Sequence, residues 1–136
     1  MTQDTSSRWL IGLVAAPFLV GGGLAAVAAF GAPANSKASL LLGLLNIVVA
    51  VGLWFRRPVW RAAALVLLAL QLASTIFLGA LLVTGDSPLT LELLNRAVQL
   101  DRGLGGLLLV VLAAVEVVSL VILSRPSVRG AFASHT

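Results

Sequence analysis

Few residues in this chain are equipped for chemistry, and three of them stand inside otherwise apolar sequence: Asn46, Gln71 and Glu116. Asn46 is ten positions from Arg56, Gln71 ten from Arg61 and Glu116 nine from Arg125. At a helical rise of ~1.5 Å per residue, these separations place all three at one depth, roughly 14 to 15 Å from the arginines. Ser74 and Thr75 follow Gln71 by three and four residues, and Ser119 follows Glu116 by three, so each can share a helical face with its neighbour. The spacing predicts a polar layer of Asn46, Gln71, Ser74, Thr75, Glu116 and Ser119. In it the carboxyl accepts from the two amides or, when protonated, donates to them.

The price of such a layer in lipid is what makes it informative. A charged carboxylate near the centre of a membrane helix costs ~2.5 to 3.5 kcal/mol on insertion scales, so acids at that depth face the protein interior or a wet cavity. No basic residue lies within the apolar runs, and Glu116 is expected to be neutral at pH 7 unless water reaches it. Two readings follow. In one, Glu116 is a proton-coupling or cation-recognition group; in the other, a protonated acid holds helices together or contacts another subunit.

Other chemistry lacks its residues. There is no cysteine, and the single histidine, His135, is next to last, so haem, zinc and triad sites have no ligands. Neither a cofactor nor a metal is expected. Asp86, Glu92, Asn95 and Asp101 interleave with Arg96 and Arg102, which reads as a self-neutralising solvated surface. Gly103-Leu104-Gly105-Gly106 follows no strand and is not a nucleotide fingerprint. Lys37, the only lysine, falls in a loop and not in a buried site suited to Schiff-base chemistry.

The elements that must position the layer come from composition. Of 136 residues, 60% are hydrophobic and 10% charged, with a mean hydropathy of +1.08. A soluble domain of this size needs about a quarter of its residues charged. This composition therefore excludes a water-soluble globule, a disordered chain and a disulfide-stapled module. Four apolar runs, at 9–30, 38–55, 62–83 and 104–123, are each close to the ~20 residues that cross a ~30 Å hydrocarbon layer. The expected fold is an all-α polytopic membrane protein, one domain over 1–136, built as a bundle of four transmembrane helices. The second run is the shortest and carries Asn46.

Turn residues bound these runs. Gly31, Pro33, Asn35 and Ser36 follow the first, Arg56-Arg57-Pro58 ends the second, and Asp86-Ser87-Pro88 follows the third. Over 88–102, Leu89, Leu93, Ala97 and Leu100 recur at helical spacing, widened by Leu94 and Val98. This predicts a short amphipathic surface helix before the fourth span, with Gly103, Gly105 and Gly106 as a bend. The first run is longer than a signal-peptide core and is expected to stay in place, although 26–28 and 32–34 resemble small-residue cleavage sites. Within it Gly12 and Ala16, and Gly21, Ala25 and Ala29, repeat every four residues, with Gly22 and Ala26 one register over. Such small faces let helices pack closely. Pro17 before Gly21-Gly22-Gly23 predicts a kink.

Orientation follows from the basic residues. Arg8, Arg56, Arg57, Arg61, Arg125 and Arg129 fall on one side, and Lys37, Arg96 and Arg102 on the other, so the first side is expected to be cytoplasmic, with both termini there. Trp9, Trp54 and Trp60 lie at the same boundary, and together with Arg56, Arg57, Arg61 and Arg125 they are expected to anchor it. The net charge of +4 is spread over helix ends, which favours anionic lipid headgroups over nucleic acid as the partner. The expected function is a non-enzymatic integral membrane protein of the cell membrane: an accessory, scaffold or interaction subunit, alone or in a homo-oligomer or larger complex. The alternative is a small oligomeric proton-coupled transporter or channel using Glu116.

Overall fold

Inside hydrocarbon a backbone must satisfy its own hydrogen bonds, and each apolar run does so as a helix. The structure, a computed structural model, describes residues 2–30, 37–85, 89–93 and 96–133. In order these form α1 (Thr2–Phe30), α2 (Lys37–Trp54), α3 (Pro58–Thr84), β1 (Leu89–Leu93), β2 (Arg96–Leu100), α4 (Arg102–Ser124) and α5 (Pro126–Ala133). Three helices are long and apolar enough to cross a membrane: α1 over Arg8–Ala25, α3 and α4. In α2 the apolar stretch is shorter, Leu40–Trp54. At ~1.5 Å per residue that stretch covers roughly 22 Å, less than the ~30 Å of a hydrocarbon core.

The helix boundaries obey local rules. Pro58 opens α3, where a missing N–H costs nothing, and Arg57 before it is extended. The same restriction stops α4 at Ser124, because Arg125 precedes Pro126 and is likewise extended. Between α2 and α3 the chain reverses through Arg56, at φ 54°, the only non-glycine residue with positive φ among those described. The Phe55 and Arg56 amides bond back to the Gly52 and Leu53 carbonyls at 3.1 Å. α1 runs unbroken past Pro17, and α4 starts at Arg102 so that Gly103, Gly105 and Gly106 lie in its first turns instead of forming a bend before it.

Residues 88–102 are not a surface helix. β1 and β2 form a two-stranded antiparallel ribbon, with Leu89 opposite Leu100, Leu91 opposite Val98 and Leu93 opposite Arg96. Two periodicities coexist in this stretch. Leu89-Thr90-Leu91-Glu92-Leu93 alternates apolar and polar with period two, and that strand pattern prevails over the looser helical spacing of Leu89, Leu93, Ala97 and Leu100. The turn residues Gly31, Pro33, Asn35 and Ser36, then Asp86, Ser87 and Pro88, and also Leu94, Asn95 and His135, lie outside the described residues.

Packing divides the helices into two pairs, α1 with α2 and α3 with α4, and the contacts between the pairs are sparser. The seam of α1 is Ile11, Ala15, Phe18 and Gly22, all buried, with Val14 beside them. Spacings of four, three and four residues define a coiled-coil-like stripe. This corrects the small-residue face: Ala16 and Gly21 are exposed, Gly12 and Ala25 half-buried, and a methyl on Gly12 or Gly21 would meet nothing within 4 Å. The side chain of Ala29 is outside those described. The close approach is at Gly22, where a methyl would lie 2.7 Å from the Gly43 carbonyl oxygen.

The core gathers at the arginine end. Ile11, Val14, Leu53, Ala64 and Leu123 meet there with Val128 and Phe132 of α5, which folds back against the bundle. Pro126 at its first position and Val128 and Phe132 four apart are the local signals of this helix, for which no element is expected from the apolar runs. Away from this core the helices present exposed Leu, Val, Ile and Phe, as a lipid-facing surface requires.

At the α2–α3 reversal the Trp60 ring sits against Gly52 so closely that a methyl there would overlap it. Gly52→Ala is therefore expected to destabilise the chain by about 1–3 kcal/mol through overpacking. Gly23→Ala, with open space around it, should be neutral or slightly stabilising. Thermal unfolding in one detergent compares the two.

Candidate functional site

The mid-depth polar residues come from three helices. Asn46 is in the middle of α2; Gln71, Ser74 and Thr75 follow one another around α3; Glu116 and Ser119 are one turn apart on α4. Together with Pro17, Phe18 and Gly21 of α1 they line one cavity of about 460 Å³ at the junction of the two helix pairs. Phe18 and Leu68 belong both to its wall and to the buried core, so the cavity rests directly on the packed arginine end.

Two hydrogen bonds cross between helices here. Gln71 Nε2 donates to Asn46 Oδ1 at 3.2 Å, joining α3 to α2. Thr75 Oγ1 donates to Glu116 Oε1 at 3.1 Å, joining α3 to α4. The same hydroxyl lies 3.0 Å from the Gln71 carbonyl oxygen. A hydroxyl has one proton and two lone pairs. The Thr75 hydroxyl proton is thus shared between the carbonyl of its own helix and the carboxyl of α4, which ties α4 to α3.

The six residues are not equivalent. Ser74 is exposed and its Oγ donates to the Leu70 carbonyl at 3.0 Å, a bond within its own helix. Ser119 is 3% exposed and lines the cavity one turn beyond Glu116. Glu116 Oε2 is buried and has no hydrogen-bond partner among the described residues. Glu116 as a residue lines the cavity, which is far larger than the ~10–15 Å³ that a water requires.

The arginines and tryptophans have separate tasks. Arg61 Nε donates to the Leu123 carbonyl at 2.8 Å, closing the last turn of α4 from the start of α3. Sequence reading made it a membrane anchor and missed this bond, because helix-end carbonyls acquire partners only through tertiary contact. Arg57 and Arg125 are exposed and Arg56 is partly so. Trp9 and Trp54 are 77% and 71% exposed, whereas Trp60 turns inward onto Gly52 and the core.

At the opposite end Arg102 Nη2 donates to the Gly85 carbonyl at 2.6 Å, bracing the two ends of the ribbon segment. Asp101 is exposed. Among the described residues no group of three His, Cys, Asp or Glu could hold a metal ion.

Compared with protein-family models, curated proteins and solved structures, the chain has no match.

If the Gln71–Asn46 bond links the helix pairs, Asn46→Leu and Gln71→Leu should be coupled. A double-mutant cycle by thermal unfolding in detergent is expected to give about 0.6 kcal/mol and at most ~1.7, the range for interhelical bonds in membrane proteins. Zero coupling would show that the two amides act independently.

Proposed function

We propose that this chain is an integral membrane protein of non-enzymatic type, an accessory, scaffold or interaction subunit, whose helices are tied together by the mid-depth polar layer. The observation that carries this reading is the pair of bonds Asn46–Gln71 and Thr75–Glu116, which converge on α3 from α2 and α4. In hydrocarbon such groups have no water to compete for them, so they specify which helix faces meet. In this reading all four helices span, α2 being sheltered by α1. The arginine side is cytoplasmic, carries both termini and faces acidic lipid headgroups, while the β-ribbon lies outside.

A second reading is favoured by one specific feature: Glu116 lines a cavity of about 460 Å³ while its Oε2 is buried without a partner among the described residues. A carboxyl on the wall of such a space is placed to take up and release a proton or to meet a cation. This is the arrangement of a small proton-coupled transporter or channel, with the second copy of an oligomer enlarging the path.

Substitution at Glu116 separates the readings. A glutamine side-chain carbonyl can accept from Thr75 as Glu116 Oε1 does, so Glu116→Gln should leave detergent stability almost unchanged. Glu116→Leu removes the partner of Thr75 and should cost about 0.5–2 kcal/mol. Equal stability of the two variants would refute the polar tie. In proteoliposomes the second reading requires proton movement that Glu116→Gln abolishes; a flux that survives that substitution removes Glu116 from any transport.

The absence of cysteine makes the topology directly measurable. A single cysteine at Ser127 is expected to resist a membrane-impermeant maleimide in intact cells, and one at Gln99 to react. The reverse pattern would invert the orientation.

A further inference from the structure

Beyond the polar layer, the outer face where α1 meets α2 has features that the proposed function leaves unused. At the arginine end a cavity of about 380 Å³ is lined by Arg8, Trp54 and Arg56 among others. It adjoins two apolar depressions that share Trp54 with it, of about 330 and 530 Å³, both floored by Gly12 and Ala16. The α1 surface recedes there: a methyl on Gly12 would meet nothing within 4 Å, and Ala16 is exposed. The result is a groove with two guanidinium groups at one end and an apolar floor leading away from them.

We infer that this groove binds one phospholipid with an acidic headgroup, its phosphate between Arg8 and Arg56 and an acyl chain along Gly12 and Ala16. The inference rests on the membrane placement proposed above. Charge and length both fit. The left-handed backbone at Arg56 reverses the chain and returns its side chain to the cavity that Arg8 lines. From Arg8 to Leu19, which borders the apolar floor, is eleven residues, or about 16 Å along the helix. That is about half of a ~30 Å hydrocarbon core, the depth of a single leaflet. Trp54, 71% exposed, stands at the join between charged and apolar parts, where an indole has its N–H at headgroup level and its ring among acyl chains.

Here Leu13, Leu19 and Val20 project beside the small positions, and the polar end is cationic. An anionic amphiphile matches both halves.

Native mass spectrometry of the full chain, purified in detergent with equal amounts of phosphatidylglycerol and phosphatidylcholine of matched acyl chains, tests the site. The intact protein is expected to retain one phosphatidylglycerol in preference. The pair Arg8→Gln and Arg56→Gln should reduce that preference by about 30-fold, the effect of two arginine charges at a membrane surface. Ala16→Leu, which fills the groove and touches no charge, should reduce retention of both lipids. The pair Arg57→Gln and Arg129→Gln removes as much charge from the same side and should retain the preference. Equal losses from the two arginine pairs, or no loss from Arg8→Gln with Arg56→Gln, would overturn the site. Flotation with vesicles separates this result from the membrane reading: a chain that fails to float refutes that reading, and one that floats without lipid preference refutes only the groove.

Discussion

A polar side chain surrounded by hydrocarbon can bond only to the protein or to water that the protein admits. That constraint organises the middle of this molecule. Asn46 and Gln71 answer it by pairing, Thr75 and Glu116 by pairing across another helix boundary, and Ser74 by turning back to its own helix. The two pairings between helices fix the rotation of α3 against α2 and against α4, since a turn of ~100° about any of these axes would break them. The polar layer is thus a register mark as much as a source of energy.

The arginine half and the cavity half solve different problems. At the arginine end α5 folds Val128 and Phe132 onto Ile11, Leu53 and Leu123, and Arg61 closes the end of α4, so the base is packed and tied. Above Phe18 and Leu68 the two helix pairs part and leave space lined by the polar layer. The groove lined by Arg8, Trp54 and Arg56 lies on the other side of the buried seam Ile11, Ala15 and Phe18 from this cavity.

Much of this was legible from residue spacing, and the exceptions share a cause. The helices follow the apolar runs within a few residues at most ends, because length and composition decide what can remain in lipid. The common depth of Asn46, Gln71 and Glu116 was legible from counting back to the nearest arginine. Residues 88–102 were misread because an alternating and a helical pattern overlap there, and pairing with a second strand is a non-local event. The stripe of Gly12, Ala16 and Gly21 misled for a related reason. Small residues permit close approach on whichever face is presented, and bulkier Ile11, Val14 and Phe18, which have more apolar surface to cover, took the seam.

By itself the sequence determined where the long apolar helices lie and that they suit a membrane protein, since these depend on composition and on the length of each run. The tertiary structure alone decided which polar group bonds which, that Glu116 Oε2 is buried without a partner among the described residues, that Gly22 and not Gly21 is the point of close approach, and that residues 126–133 fold back as α5. Those outcomes depend on the rotation of each helix about its own axis. Rotation is set by the sum of contacts with all neighbours, and no single run of residues contains that sum.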